Sequence, residues 1–219
     1  KLRIKLFDGS TVRLRPHSKI AQKYPPHGNQ QKNKKRPPYW CLMRVVVGFC
    51  ARTGAALHCA MGSLKESEQS LTVRLLAEAT AEDLIMGDRN LGIFRVAQAA
   101  RHAGAKVLLR MTKSRAGKLV KGRLRAGREY AVRWAPSCRD QQEPGCSSDP
   151  IIGRLVVARV HRPGFRTEVL YLFTTLDQES ASAEELVELY GKRWLVELNL
   201  RYVRARWAER KIPDCFRDK

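Results

Sequence analysis

Apolar and charged residues alternate from the start of the chain, with Leu2, Ile4 and Leu6 set against Lys1, Arg3 and Lys5. A period of two predicts a strand with one buried face. It ends in Phe7-Asp8-Gly9-Ser10-Thr11. An Asp before Gly is an ordinary turn former, and equally a candidate metal ligand held at the end of a rigid strand. Residues 16–39 carry five Pro and no period, and they read as a loop. Trp40 to Phe49 and Ala55 to Met61 are apolar runs joined by Ala51-Arg52-Thr53-Gly54, a hairpin pattern. Helical spacing follows from Glu66 to Ala79 through Leu71, Leu75, Leu76 and Ala79. Asp83 to Gly87 is a short buried strand running into Asp88-Arg89-Asn90. A second helix, Ile93 to Ala103, is closed by Gly104, and Lys106 to Met111 is the next strand.

Three strands followed by helix, strand, helix, strand make an α/β domain with βαβ crossovers. Asp8 and Asp88 then each stand at the C-terminal end of a strand, where α/β sheets hold ligands. Between 112 and 168, Gly and Pro separate the strand-like pieces Lys118 to Arg123, Glu129 to Trp134 and Ile152 to His161, which predicts a β-rich insertion. Val169 to Thr174 is another buried strand. Ser180 or Ser182 can cap a long helix from Glu184 to Arg206, with Glu184 and Glu185 in its first turn. On that helix Tyr190, Arg193, Glu197 and Arg204 fall within a sector of roughly 60° at 100° per residue. The stripe fits an amphipathic surface helix with ordinary ion pairs. It also fits a site, because a carboxylate flanked by cations sits among apolar residues.

Charge changes the picture. Among 219 residues, 42 are Lys or Arg and 21 are Asp or Glu, a formal net charge of +21. An excess spread over the whole length calls for a polyanionic partner, nucleic acid before a membrane surface. Lys32, Lys34, Lys35 and Arg36 form a basic run in the Pro-rich loop. It reads as a solvated flexible loop or as a phosphate-contacting one. No apolar run reaches the ~20 residues of a membrane span, and no signal peptide pattern opens the chain. The six cysteines show no CxxC pair; Cys41, Cys50 and Cys59 are expected as buried thiols, and Cys138, Cys146 and His161 lack zinc-site spacing. No Walker A or G-x-G-x-x-G motif occurs.

Asp8, Asp88 and Glu197 are the carboxylates that rigid elements could bring together. Three such residues can hold two Mg²⁺ ions, and two ions ~3.5–4 Å apart serve phosphodiester chemistry. At this point a resemblance carries weight. The chain resembles the DDE transposases of bacterial insertion sequences, in the insertion-sequence-four group. Tyr190, Arg193 and Glu197 match the spacing of its Y-x2-R-x3-E-x6-K signature, with Arg204 where the group has Lys. Phe7-Asp8-Gly9-Ser10-Thr11 is similar to D-G-[ST]-T. Gly87-Asp88-Arg89-Asn90 is similar to D-R-[GN]-F, with Leu91 replacing the aromatic residue. Arg162 to Thr167 and Thr174-Thr175-Leu176 also look familial.

The resemblance implies an α/β, RNase H-like mixed sheet flanked by helices, with a β-rich insertion before the last helix. Residues 1–111 would form the first part of the catalytic core, 112–168 the insertion, 169–208 the last strand and glutamate helix, and 209–219 a non-familial tail. It implies Asp8, Asp88 and Glu197 as catalytic metal ligands, two Mg²⁺ ions (Mn²⁺ substituting), and cutting at transposon ends with strand transfer into target DNA. Tyr190, Arg193 and Arg204 would contact phosphate near the cut. Trp134 is the candidate base-stacking residue of the insertion, with a core Trp as the alternative. DNA is the implied partner, with a homodimer in a synaptic complex. The implied setting is the bacterial cytoplasm beside the nucleoid, with no membrane role. Because the chain opens at Lys1 in a strand pattern and stops soon after Arg204, the expectation is a truncated member of the group. Two other readings stand beside the enzyme: an inactive remnant that binds nucleic acid by charge, and a basic RNA-binding protein.

Overall fold

The computed structural model describes residues 2–26, 40–161, 168–194 and 200–201. Eight strands form one mixed sheet in the order β3-β2-β1-β4-β5-β8-β7-β6. The first is β1, Arg3–Leu14. The hairpin follows as β2, Cys41–Cys50, and β3, Ala56–Ser63, antiparallel across the expected turn, where Gly54 takes φ 71°. Helix α2, Glu68–Leu76, leads to β4, Asp83–Gly87. Helix α3, Phe94–His102, leads to β5, Lys106–Arg110. β1, β4 and β5 run parallel, so their connections cross over the sheet.

β1 is longer than its alternation predicted. It runs through Asp8-Gly9 to Leu14, because residues 5–14 pair antiparallel with β2 along their whole length. Asp8 is therefore inside a strand, not at its end, and Asp8-Gly9 is no turn. The parallel pairing of β1 with β4 stops at Leu6↔Met86, so Asp8 does stand where that parallel pair ends. The expected loop of residues 16–39 contains a short helix α1, Ser18–Lys23.

The expected insertion is built differently from its sequence pattern. Lys118 to Arg123 is not a strand: Lys113–Val120 is helix α4, capped by the Thr112 hydroxyl, which accepts from the Arg115 N–H at 3.3 Å, and anchored by buried Ala116. β6, Arg128–Trp134, and β7, Ile151–Val160, flank a short helix α5, Cys138–Gln141. β7 pairs with β8, Glu168–Thr174, and β6 with β7, so these strands extend the central sheet. Arg154 ties the extension to the chain leading into the last helix. Its guanidinium donates to the carbonyls of Leu176 (2.9 Å), Asp177 (3.0 Å) and Ala181, and pairs with Glu129 at 2.7 Å.

Helices cover both faces. Leu71, Leu75 and Leu76 of α2, Phe94, Val96, Ala97 and Ala100 of α3, and Ala116 of α4 pack on one face with Phe7, Ile85 and Phe173. On the other, Leu186 and Tyr190 of α6, Ala183–Gly191, pack with Leu6, Val45, Met86 and Leu172. Ser182, one of the two predicted caps, opens α6 in a capping box with Glu185. α3 ends as predicted at Gly104, whose φ of 77° lets Ala105 N–H reach the Ala100 carbonyl at 2.9 Å and Gly104 N–H the Arg101 carbonyl at 2.9 Å. The long helix predicted from Glu184 is interrupted: α6 stops at Gly191 and the chain turns at Lys192–Arg193, with Leu200 and Arg201 helical again. Cys59, expected buried, is exposed, because β3 is an edge strand.

Candidate active site

The register of three parallel strands builds the site. Leu6 pairs with Met86, and Gly87 with Leu109. Continued by one or two residues, those offsets set Asp8, Asp88 and Arg110 side by side at one end of β1, β4 and β5. Neighbouring strands lie ~4.8 Å apart. Asp8 shares its parity with Leu6, and Asp88 with Met86, both of which face α6.

Asp88 is held by its own loop. Its Oδ1 accepts from the N–H of Asn90 at 2.8 Å and of Leu91 at 3.1 Å, and its carbonyl from Gly92 N–H at 2.9 Å. Gly92 lets this loop lie against β5, since a Cβ there would sit 2.0 Å from the Arg110 carbonyl oxygen. Arg115 of α4 binds the loop from outside, donating to the carbonyls of Arg89 (2.7 Å) and Gly92 (3.2 Å). Asp8 Oδ1 accepts from Gly9 N–H at 2.9 Å.

On the α6 side, Tyr190 is 5% exposed, and its hydroxyl is buried without a hydrogen bond of good geometry among the described residues. Burial pushes its pKa up to about 12; Arg193 and Arg110 oppose the rise and Asp88 adds to it, so all three lie within electrostatic reach. The Arg193 guanidinium is 6.0 Å from the Tyr190 ring centroid. Arg110 also pairs with Glu168. A buried hydroxyl within electrostatic reach of two guanidiniums offers donors suited to a phosphate oxygen.

Of the predicted site residues, Asp8, Asp88, Tyr190 and Arg193 gather at this end of the sheet. Glu197, Arg204, Lys32, Lys34, Lys35 and Arg36 lie outside the described residues. Trp134 does not join them. It is 8% exposed in the core, with the Phe94 ring edge-on at 5.9 Å and the Phe173 ring at 4.8 Å. Packing of this kind is what the core alternative expects, and a base could stack on Trp134 only by displacing one of these rings.

Two residues of the site escaped the sequence reading. Arg110 is the charged residue ending an apolar strand, and its signal was position at the same sheet end as both aspartates. Glu68 was read only as part of the helical run from Glu66 to Ala79. Burial, then Asp8 and Asp88, raise the Glu68 pKa, while an Asn90 hydrogen bond and Arg44 lower it. Among the described residues no three His, Cys, Asp or Glu side chains group closely enough to hold a metal by themselves. Among them, no helix is long and apolar enough to cross a membrane.

The chain matches the transposase DDE domain family over residues 1–213 and belongs to that family. The mixed sheet flanked by helices is the RNase H-like architecture of such a domain. No curated protein matches the chain. Family membership gives the reaction class, transposition catalysis on DNA, a phosphodiester chemistry that in this family uses a divalent metal.

Proposed function

We propose that the chain is the catalytic domain of an insertion-sequence transposase of the insertion-sequence-four group, which cuts DNA at transposon ends and joins the freed 3′-OH to target DNA. The observation that carries this reading is the shared register of Asp8, Asp88 and Arg110, with buried Tyr190 and Arg193 against the same sheet end. Asp8 and Asp88 offer the oxygen ligands that Mg²⁺ takes, and their charges, after burial, help raise the Glu68 pKa.

Asp8, Asp88 and Glu197 would hold two Mg²⁺ ions, with Mn²⁺ able to replace them. When bound, the metal pair activates the attacking oxygen and stabilises the leaving one. The chain's own residues do the rest. Tyr190 donates its hydroxyl to a phosphate oxygen, and the phenol stays protonated because its pKa is near 12. Arg193, Arg110 and Arg204 neutralise the backbone beside the cut. The Asp88 turn and the Arg115 contacts keep the carboxylate in place as DNA enters. Lys32, Lys34, Lys35 and Arg36 add positive charge for the DNA backbone. Two copies would act on paired transposon ends, in the cytoplasm beside the nucleoid.

The test is nicking of supercoiled plasmid and of end-bearing DNA with Mg²⁺ or Mn²⁺. Asp8→Asn, Asp88→Asn and Glu197→Gln should each lower cleavage on the order of a thousandfold, about 4 kcal/mol of transition-state stabilisation. Cleavage without divalent metal, or surviving all three changes, would sink the reading. Salt-sensitive DNA binding without cutting would favour the charge-only remnant.

A further inference from the structure

Both aspartate motifs contain residues that bear no carboxylate, and one side chain outside them touches both. Glu68 stands in the first turn of α2, behind the Ser67 cap. Its side chain lies across the backbone of β1 at Gly9: a Cβ at residue 9 would come 2.4 Å from Glu68 Cδ and 2.6 Å from Oε1. Gly9 takes no left-handed conformation, so its want of a side chain is a matter of space for Glu68. On the other side, Glu68 Oε2 accepts from Asn90 Nδ2 at 2.9 Å. Gln69 Nε2, one residue along, donates to the Asn90 carbonyl at 2.9 Å and to Asn90 Oδ1 at 3.1 Å. These partners fix the Asn90 amide in one orientation, since a carboxylate only accepts and the Gln69 amide donates to the other atom. The Asn90 backbone N–H in turn holds Asp88 Oδ1.

We propose that Glu68 is a positioning residue for Asp88, clamping Asn90 together with Gln69, and that Gly9 is small so that Glu68 can reach. The proposal rests on the catalytic reading above and adds to it a contact from outside the three acidic motifs. A role limited to the α2 macrodipole would be met by a solvent-facing acid in the same turn, with no need of Gly9 or Asn90. Instead Glu68 reaches across Gly9 to Asn90, and burial, then the charges of Asp8 and Asp88, disfavour its ionisation. Outer-shell partners of metal ligands are worth ~10–100-fold in metal affinity.

The experiment measures Mn²⁺ binding to the full chain from the free-ion electron paramagnetic resonance signal, alongside metal-dependent nicking. Glu68→Ala should weaken Mn²⁺ binding and kcat at least about tenfold, leaving the KM for DNA unchanged. Glu68→Gln, whose Oε1 still accepts from Asn90, should stay within about threefold of the parent. Gly9→Ala should reproduce the Glu68→Ala loss, and the double variant should be no worse than Glu68→Ala alone, because the added methyl then has nothing to displace. Parent-like Mn²⁺ binding in a folded Glu68→Ala chain overturns the proposal. So does Glu68→Gln falling as far as Glu68→Ala, since the charge itself would then be at work. Asp88→Asn is the reference: if it leaves Mn²⁺ binding unchanged, the catalytic reading fails, and this proposal with it.

Discussion

The two ends of the β1–β4 pair treat acidic residues in opposite ways. At the N-terminal end, Asp83 is fully buried, on the face covered by α2 and α3. Lys5 Nζ is 2.9 Å from Oδ2, Arg3 Nε is 3.0 Å from Oδ1, and Thr80 N–H donates to Oδ2 at 2.9 Å. Burial opposes its charge, but Lys5, the Thr80 N–H and Arg3 more than offset that and hold its pKa below the ordinary carboxylate value. At the C-terminal end, Glu68 lies over Gly9 and against Asn90, and burial, then Asp8 and Asp88, drive its pKa the other way. One end satisfies its carboxylate from within the chain. The other sets Asp8 and Asp88 where the parallel pairing ends and disfavours the charge on Glu68, at the end proposed to bind metal and DNA. That difference separates a structural ion pair from a site, although both perturb carboxylates.

Breaking the structural end should have the largest effect on stability. Asp83→Asn leaves the Lys5 ammonium buried without its counter-charge, and should cost about 3–5 kcal/mol in urea unfolding. The same pair predicts an acid limb. Because the folded pKa of Asp83 lies below its unfolded value near 3.8, its contribution is complete above that value and is lost as pH falls through the folded pKa. Unfolding midpoints followed below pH 4 should show a shallower acid slope in Asp83→Asn than in the parent.

The proposed catalytic end should respond to metal instead. Mg²⁺ at a hundred times its dissociation constant should stabilise the parent by about 2.7 kcal/mol. Asp88→Asn should lose that increment, whereas Asp83→Asn should keep it despite a lower baseline. An equal Mg²⁺ response in Asp88→Asn would erase the distinction between the two ends.

The smallest effect sharpens the comparison. Tyr190→Phe removes a buried hydroxyl that lacks a good partner among the described residues, and should stabilise the free chain by up to about 1 kcal/mol. DNA cleavage should fall about tenfold, or about 1.4 kcal/mol. Stability and cleavage falling together would make Tyr190 a packing residue only.

Most strands and helices were legible because their signals are local. The Leu2-Ile4-Leu6 alternation, the Ala51 to Gly54 turn and the Gly104 cap each act within a few residues. At Lys118 to Arg123 the strand-like composition yields to the Thr112 cap and to Ala116 docking in the core. The extent of β1 was hidden for a related reason. Nothing in Asp8-Gly9 announces a strand, and only pairing with β2 holds the chain extended to Leu14.

By itself, then, the sequence determined the residue chemistry of this protein: two aspartate motifs, a Tyr and Arg at helical spacing, and a net charge of +21 suited to a polyanion. It also determined the α/β order of elements, since hydrophobic period and capping are written residue by residue. Only the tertiary structure decided which chemistry meets. The parallel register brings Arg110 beside Asp88, and the missing side chain of Gly9 admits Glu68 to the same corner. It also assigned Trp134 to the core rather than to a partner. Register and clearance are properties of pairs of segments far apart in the chain, so no local pattern could have carried them.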